Sequence, residues 1–292
     1  MNSPHVVARG LGKSFNEKRV LQDVSFAVEP GDVVGVLGKN GAGKTTLLEL
    51  MLGFSPASTG NVTLFGHESY RIPGDAKARV GFVPQQDELL NPLSAGEQLR
   101  VIASFYSNWD DELIERLCTE WGVDRAARIK SMSVGERQKL SILLALGHRP
   151  DLLILDEPVA SLDPVARRQF LEQIVDIAAD GNRAVVFSSH IVSDIERLAN
   201  RIWILKDGRL YWQGDLDSLK ESIVRLHIRS TGPLPVTLEI PNALSVRREA
   251  THATAVVRDW SAASQRAIES ASGAAVEVEP LGLEEIFLEL HR

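Results

Sequence analysis

The sequence has few of the features that mark secreted, membrane-spanning or DNA-binding proteins. It contains one cysteine, Cys118, so no disulfide can form within the chain, which suits a reducing compartment. We expect Cys118 to lie on a helix with its side chain packed in the protein core. The most apolar runs, Val33–Leu37 and residues 152–155, are far shorter than the about 18 residues that a membrane span requires. The net charge of −7 disfavours a binder of duplex DNA.

Two further absences concern targeting and domain organisation. Residues 1–5 are polar and lack the apolar core of a secretory signal. Because no apolar run is long enough to span a membrane, we expect any membrane role to depend on a partner. The composition changes after Lys220, since no lysine follows it, and Gly232 and Pro233 indicate a turn or loop in this region. We therefore predict a large domain over residues 1–220 and a small α+β accessory domain over residues 221–292.

Short apolar runs alternate with amphipathic segments, which predicts an α/β fold with a parallel sheet. The pattern predicts an antiparallel β piece over residues 6–28 and a helical insertion over about residues 88–140, where Ser94 caps a helix running to about Tyr106. Outside these segments, the large domain has predicted buried strands at residues 33–37, 152–155 and 184–187. In the small domain we predict strand-like pieces at residues 224–228, 236–240 and 254–257. A closing helix there has four apolar residues on one side, Leu283, Ile286, Phe287 and Leu290.

A glycine-rich turn follows the first predicted buried strand and fits the phosphate-loop pattern G-x-x-x-x-G-K-[ST]. Backbone N–H groups of such a loop converge on phosphate oxygens, the lysine reaches the β and γ phosphates, and the hydroxyl binds Mg²⁺. A helix begins at the lysine and points its positive end at the same anion. The residues predicted to bind nucleotide are Gly38, Lys39, Asn40, Gly41, Ala42, Gly43, Lys44, Thr45 and Thr46.

A second buried strand ends in two carboxylates, Asp156 and Glu157. At the end of a parallel strand Asp156 can reach the water shell of Mg²⁺, and Glu157 can polarise the water that attacks the γ phosphorus. A third strand is followed by His190, whose imidazole can donate to the γ phosphate or serve a structural role. We predict that Glu157 and Lys44 are catalytic residues, and the sequence by itself leaves both roles of His190 open.

Ser133 and Glu136 have the spacing of a capping box at the start of a helix. That local explanation is sufficient by itself. A capped helix start is still electropositive, so the same residues can also face a phosphate. The sequence leaves both interpretations open.

The order of these motifs resembles the nucleotide-binding subunit of ABC transporters, over roughly residues 5–220. The resemblance implies that Phe15 stacks on adenine and that Val20 packs beside the base. It implies that Gln85, rather than its neighbour Gln86, contacts Mg²⁺ and senses the membrane partner. Together with Thr45 and Asp156, which acts through water, Gln85 forms the implied metal site. The implied cofactors are ATP and Mg²⁺.

The resemblance also assigns residues that act across a dimer. Ser133, Gly135 and Glu136 are similar to the family signature, which binds the γ phosphate held by the opposite chain. Asp163 is similar to the D-loop aspartate that communicates between the two chains. The signature departs from the usual Leu-Ser-Gly-Gly-Gln, because Val134 replaces a glycine and Glu136 replaces a glutamine. The resemblance implies that His190 is the switch histidine and therefore a catalytic residue together with Glu157 and Lys44. Since Glu157 and His190 are retained, we expect an active site rather than a degenerate one.

The family implies a function for the whole assembly. We expect an ATPase that powers transport as a homodimer or heterodimer, on the cytoplasmic face of a membrane, through a separate permease and without nucleic acid. Residues 283–290 resemble the end of ABC-2 exporter ATPases, and residues 106–110 resemble a bacterial exporter subgroup. The appended domain and the closing helix favour export over import. The rival functions are a soluble ABC ATPase acting on ribosomes or DNA and a phosphate-loop kinase of small metabolites.

Overall fold

The structure is a computed structural model that describes residues 3–235 and 238–291. The chain divides into two compact units, the first ending at Gln213 and the second beginning at Gly214. The sequence places the boundary later, after Lys220. The difference arises because Lys220, where the composition changes, lies inside a helix over Leu216–Ser222 that belongs to the second unit.

The first unit mixes strands and helices, and its last strand continues into the second unit. The strands are β1 (Val6–Phe15), β2 (Lys18–Val28), β3 (Val33–Leu37), β4 (Thr59–Leu64), β5 (His67–Glu68), β6 (Val80–Val83), β7 (Leu152–Asp156), β8 (Ala184–Ser188), β9 (Arg201–Lys206) and β10 (Arg209–Asp215). The helices are α1 (Lys44–Met51), α2 (Gly74–Lys77), α3 (Ala95–Ala103), α4 (Asp111–Glu120), α5 (Val134–Leu146), α6 (Pro164–Ala179) and α7 (Val192–Leu198), with short 3₁₀ turns at Ser69–Arg71 and Ile129–Ser131.

A six-stranded sheet in the order β10-β9-β3-β8-β7-β6 forms the centre of the first unit. Strand β3 pairs in parallel with β8 and β9, and β7 pairs in parallel with β6 and β8. Every residue of β3, β7 and β8 is buried, which is why these strands are continuous apolar runs in the sequence. Since parallel strands end at the same edge, the residues that follow β3, β7 and β8 meet there.

A second sheet, in the order β2-β1-β4-β5, confirms the predicted antiparallel β piece. Strands β1 and β2 form a hairpin in which Phe15 pairs with Lys18. The turn residue Asn16 has φ 53°, in the left-handed region that asparagine adopts more readily than most residues. The hairpin therefore places an aromatic side chain and a lysine at its tip.

The predicted helical insertion contains α3 and α4 and leads into α5. Ser94 caps α3 in a capping box with Glu97, as predicted, but the helix ends at Ala103 rather than near Tyr106. The predicted extension is wrong because the Tyr106 N–H closes a turn onto the Ala103 carbonyl, and the Tyr106 ring stacks on His148 at a centroid distance of 4.0 Å. Cys118 is buried in α4, as predicted, and burial raises the pKa of its thiol.

The segment between α3 and α4, residues 104–110, packs on the turn that follows α5. The Asn108 side-chain amide donates to the His148 carbonyl at 2.6 Å, and the Asp110 N–H donates to the Gly147 carbonyl at 2.7 Å. The Trp109 ring covers Gly147 so closely that a Cβ there would come within 2.3 Å of the indole Cη2 atom. Trp109 is therefore a packing residue at this position.

The second unit is an α+β domain, as predicted. Its elements in chain order are α8 (Leu216–Ser222), β11 (Ile223–Arg229), β12 (Ala243–Arg248), β13 (His252–Arg258), α9 (Ala262–Ser272), β14 (Ala275–Pro280) and α10 (Leu283–Leu290). The four strands form one sheet in the order β12-β13-β11-β14. Its core contains alternate residues of β11, namely Val224, Leu226 and Ile228, together with Ile268 of α9.

The predicted strand over residues 236–240 is not observed in the described part of that range. Val236 and Thr237 lie outside the described residues, and residues 238–240 are not in a strand. Leu238 and Ile240 are nevertheless buried in the core of the second unit, which explains their apolar character. Throughout residues 3–235 and 238–291, every helix is either too short or too polar to cross a lipid bilayer.

Candidate active site

A cavity of about 690 Å³ lies beside the loop that joins β3 to α1 and the tip of the β1–β2 hairpin. Its lining combines aromatic, lysine, amide and carboxylate side chains with loop backbone. The described residues that line it are Phe15, Asn16, Lys18, Val20, Asn40, Gly41, Gly43, Lys44, Thr45, Thr46, Gln85, Asp156 and Glu157.

The loop reaches α1 through Gly43, which has φ 104°. A residue with a side chain rarely adopts this conformation. A Cβ atom at Gly43 would also lie 2.9 Å from Leu21 Cδ2 and 3.1 Å from the Val20 carbonyl oxygen. Glycine at this position therefore lets the loop pass against the β2 strand while its N–H groups stay available for an anion at the start of α1.

Lys44, the first residue of α1, is buried at the floor of the cavity. Its ammonium group donates to the Gly38 carbonyl oxygen at 2.8 Å and lies 4.0 Å from Glu157 Oε1. The lysine is thus held across its own loop, with its charge next to the carboxylate that follows β7. The Lys44 side chain is one of the groups that line the cavity.

Asp156 is the last residue of β7 and is only 2% exposed. Its Oδ2 atom accepts a hydrogen bond from the Thr45 hydroxyl at 2.6 Å, and its Oδ1 atom accepts one from the Ser188 hydroxyl at 2.5 Å. Strand register explains the second contact, since Asp156 pairs with Ser188 across β7 and β8. Both carboxylate oxygens are therefore held by side-chain hydroxyl groups.

Glu157 follows directly and has φ 51°, an uncommon left-handed conformation for a residue with a long side chain. Its backbone N–H donates to the Ser188 hydroxyl oxygen at 2.9 Å. Its Oε2 atom accepts from the backbone N–H of His190 at 3.1 Å and from His190 Nδ1 at 2.6 Å. The Glu157 side chain is 9% exposed, whereas that of His190 is 59% exposed, so the histidine connects a buried carboxylate to the surface.

A separate group of residues surrounds the start of α5. Ser133 caps this helix, and its N–H and hydroxyl both donate to Glu136 Oε2, each at 2.7 Å. The hydrogen bond from the Ser133 N–H is the main reason why the pKa of Glu136 lies below its usual range. Val134 is 66% exposed at the same helix start. The carboxylate of Glu136 thus accepts hydrogen bonds from both donors of Ser133.

The loop between β7 and α6 adjoins this helix start. A Cβ atom at Gly135 would lie 3.0 Å from the Ser161 carbonyl oxygen, so the two backbones approach closely. Asp163 caps α6, and hydrogen bonds from the N–H groups of Ala166 and Val165 lower its pKa. Lys139 of α5 lies 4.0 Å from the Asp163 carboxylate. The helix start and the capped loop therefore form one structural group.

Comparison with known proteins identifies the family. A sequence profile described as ABC transporter matches residues 21–160. ABC transporter ATP-binding protein YtrB of Bacillus subtilis (strain 168) is 31% identical over 220 residues, which cover 75% of this chain and 75% of that protein. Nod factor export ATP-binding protein I of Paraburkholderia xenovorans (strain LB400) is 35% identical over 244 residues, which cover 81% of this chain and 79% of that protein.

The chain belongs to the ABC transporter family. A solved structure of an ATP binding subunit of an ABC transporter has a TM-score of 0.69 to the chain at 28% identity, covering 74% of this chain and 92% of that one. Both the resemblance and the phosphate-loop α/β fold expected from the sequence are confirmed. The chain is an ATP-binding and ATP-hydrolysing subunit of a transporter.

Most residues predicted to bind nucleotide, either from the phosphate-loop pattern or from the ABC resemblance, lie on the cavity wall. Among the described residues, Gly38, Lys39, Ala42 and His190 are absent from the lining, although the first three belong to the loop. Asn16, Lys18 and Ser188 were not predicted. The first two follow from the hairpin turn next to Phe15, whereas the role of Ser188 depends on strand register and has no local signal.

The oxygen donors beside the ABC phosphate loop suit Mg²⁺. This ion prefers oxygen ligands and is commonly held by one or two protein groups with substrate phosphates and water. Thr45 and Asp156 present a hydroxyl and a carboxylate oxygen 2.6 Å apart, and the Gln85 side chain lines the same cavity. Within residues 3–235 and 238–291 no cluster of three or more histidine, cysteine or acidic residues suits a metal ion.

Proposed function

We propose that two ATPase chains close around ATP and that this closure powers export through a separate membrane-spanning partner. One observation supports a dimer. Ser133, Gly135 and Glu136 are not among the described residues that line the nucleotide cavity. These residues, which we call the signature group, lie at a helix start suited to anions. A second chain is the natural source of the phosphate that this group would bind.

Phosphate binding would begin at the loop before α1. Backbone N–H groups at the start of α1 would hold the β phosphate, and Lys44 would exchange its bond to the Gly38 carbonyl for phosphate oxygens. Phe15 and Val20 would contact the adenine base, since both line the same cavity. Phe15 is 48% exposed, so its ring is accessible to a base.

Thr45, Asp156 and Gln85 would hold Mg²⁺, Asp156 through water. When bound, the ion would neutralise charge on the β and γ phosphate oxygens. The Thr45 hydroxyl, which donates to Asp156 in this structure, would turn its oxygen lone pair outward. Asp156 would remain oriented by Ser188 throughout.

Glu157 would orient the water that attacks the γ phosphorus, acting as a general base. In the structure its carboxylate is held by His190 and lies near Lys44. His190 would move to donate to a γ phosphate oxygen, which frees one carboxylate oxygen for water. Lys44 and His190 would then stabilise the charge that spreads over the γ phosphate.

Across the dimer, the signature group of one chain would face the nucleotide of the other. The Ser133 N–H and hydroxyl would donate to the γ phosphate in place of Glu136. Asp163, on the adjoining loop, would take part in communication between the two chains, because its carboxylate lies 4.0 Å from Lys139 of α5. Hydrolysis and loss of phosphate would remove the bridge, and the two chains would separate.

Export, the membrane partner and a position on the cytoplasmic face of the membrane belong to the same proposal. The relative from Paraburkholderia xenovorans is named for Nod factor export, and that name supports export here. An ATPase acting on ribosomes or DNA gains no support from these two relatives, and the net charge of −7 disfavours it. A phosphate-loop kinase would not need a signature group.

The decisive experiment uses the variant Glu157→Gln, with Glu172→Gln on the exposed surface of α6 as the matched control. With ATP and Mg²⁺ we expect Glu157→Gln to bind nucleotide and to form a stable dimer in light scattering, because hydrolysis no longer opens it. Glu172→Gln should behave as the wild type. If the purified chain dimerises alone, the assembly is a homodimer, and if it needs a second ATPase chain, it is a heterodimer. A Glu157→Gln chain that stays monomeric at every concentration, even with its membrane partner, would refute the proposal.

A further inference from the structure

We infer that Ser188 is a positioning residue whose single hydroxyl orients both acidic residues of the ATPase site. The inference rests on the proposed roles of Asp156 and Glu157 and adds a third residue to that machinery. Ser188 lies at the end of β8 and is completely buried, with 0% of its surface exposed. It would therefore act on the reaction through these two residues rather than by touching ATP.

Ser188 holds Asp156 by donating to its carboxylate. The Ser188 hydroxyl lies 2.5 Å from Oδ1, while the Thr45 hydroxyl lies 2.6 Å from Oδ2. When Thr45 turns to a metal ion, the bond from Ser188 is the one that keeps the carboxylate in place. Hydrogen bonds to an ionised group are stronger than neutral ones, so this bond has the strength to fix one rotamer.

The same hydroxyl oxygen accepts from the backbone N–H of Glu157 at 2.9 Å. Glu157 has φ 51°, a conformation that persists where neighbouring contacts maintain it. By holding that N–H, Ser188 helps to maintain the turn that sends the Glu157 side chain towards Lys44 and His190. Because the hydroxyl donates to a carboxylate, its oxygen becomes a better acceptor, and the two hydrogen bonds strengthen each other.

The chain offers a matched control in the next residue. Ser189 is also buried, but its hydroxyl oxygen accepts from the Ile191 N–H at 3.0 Å. Removing either hydroxyl deletes one oxygen atom from a buried site. Of these two serine hydroxyls, the one on Ser188 is hydrogen-bonded to Asp156 and to the Glu157 backbone. A general packing defect would affect both variants alike.

The experiment compares Ser188→Ala, Ser188→Thr and Ser189→Ala in the full chain. Calorimetry measures ADP affinity with Mg²⁺ and with EDTA, steady-state kinetics gives kcat and KM for ATP, and thermal unfolding monitors stability. For Ser188→Ala we expect the gain in ADP affinity caused by Mg²⁺ to fall about tenfold, because a hydrogen bond to a charged group is lost. We also expect kcat to fall about tenfold or more, with affinity in EDTA unchanged.

Ser188→Thr keeps the hydroxyl and should show the wild-type gain in ADP affinity on addition of Mg²⁺. Ser189→Ala should also show the full gain. If Ser188→Ala proves too unstable to assay, Ser188→Cys retains a side chain of similar size with a much weaker donor and is expected to show the same loss. Wild-type behaviour of Ser188→Ala, or an equal loss in Ser189→Ala, would overturn the inference.

The variant Asp156→Asn separates this inference from the proposed function. If Asp156→Asn loses the effect of Mg²⁺ while Ser188→Ala keeps it, only the inference about Ser188 fails. If Asp156→Asn keeps the effect, the proposed metal site itself is wrong.

Discussion

The Nδ1 atom of His190 lies 2.6 Å from Oε2 of Glu157, so the residue proposed as the base is held by the residue proposed to contact the γ phosphate. The backbone N–H of His190 also donates to the same carboxylate oxygen, at 3.1 Å, so two groups of His190 contact Glu157. Catalysis as proposed needs this pair to separate. The arrangement therefore predicts different consequences for binding and for hydrolysis when His190 is removed.

For His190→Ala we expect kcat for ATP to fall about a hundredfold, the size of effect seen when one donor to a developing charge is removed. ADP affinity should change little, since His190 is not among the described residues lining the cavity. His67→Ala on the exposed strand β5 is the control and should retain full activity. Equal losses in kcat and ADP affinity would contradict the proposed role.

Phe15→Ala tests the adenine contact. Stacking of a base on an aromatic ring contributes about 1–3 kcal/mol, so we expect nucleotide affinity to fall about tenfold by calorimetry. Phe15→Tyr should bind as the wild type because the ring is retained. Phe105→Ala removes an exposed ring from outside the cavity lining and should have no effect. A Phe15→Ala chain with undiminished affinity would exclude the stacking role.

Glu136→Gln tests the charge in the signature group. The pKa of Glu136 lies below its usual range, so it is ionised at neutral pH and would repel a γ phosphate. We expect this substitution, made in the Glu157→Gln background, to lower the ATP concentration needed for dimerisation several-fold, about 1 kcal/mol. Light scattering across an ATP titration measures the change.

A control exists in α3, where Ser94 and Glu97 form another capping box, in which the Glu97 carboxylate also pairs with Arg128. Glu97→Gln should weaken its helix cap to a similar extent and leave dimerisation unchanged. If both substitutions act alike, helix capping rather than charge explains the result. A higher ATP requirement for Glu136→Gln would show that the carboxylate favours closure.

His148 should make the fold sensitive to mild acid. Its side chain is buried, with Nε2 3.0 Å from the Val80 carbonyl oxygen, and burial lowers its pKa. The ring therefore takes up a proton at a lower pH in the folded chain than in the unfolded chain, where a histidine is protonated below about pH 6.5. The free energy of unfolding accordingly falls as the pH drops below that value, by at most about 1.4 kcal/mol per unit for one group.

Urea unfolding between pH 7.5 and 5.5 measures this contribution, as the difference between the wild type and His148→Gln. The variant should be less stable at pH 7.5, because the stacking on Tyr106 is lost, and should lose less stability on acidification. His67→Gln on the surface should follow the wild type. Parallel pH curves for wild type and His148→Gln would disprove the contribution.

The sequence predicts the parts of this molecule whose physical cause is local. Strands β3, β7 and β8 are buried throughout and therefore appear as unbroken apolar runs. The phosphate loop has a fixed spacing, and the caps at Ser94 and Ser133 follow from a four-residue pattern. These features lead to the fold and the family without knowledge of the strand order.

Features that depend on strand order or on distant packing are not predictable in this way. Ser188 contacts Asp156 only because β7 and β8 are neighbours in a register that pairs them. Asp87 forms an ion pair with Arg137 of α5, which lowers the Asp87 pKa, and nothing in either stretch indicates the other. Tyr106 has helical surroundings in sequence, but its ring packs on His148, and the helix ends before it.

The contact between Trp109 and Gly147 links two stretches of chain that we expect to vary together during evolution. Because the indole leaves no room for a Cβ at residue 147, any larger residue there would displace the ring and loosen residues 104–110. A smaller residue at 109 would instead leave a void over the turn after α5. Homologues that lose the tryptophan are therefore the ones free to replace the glycine, and such paired changes would be visible in an alignment.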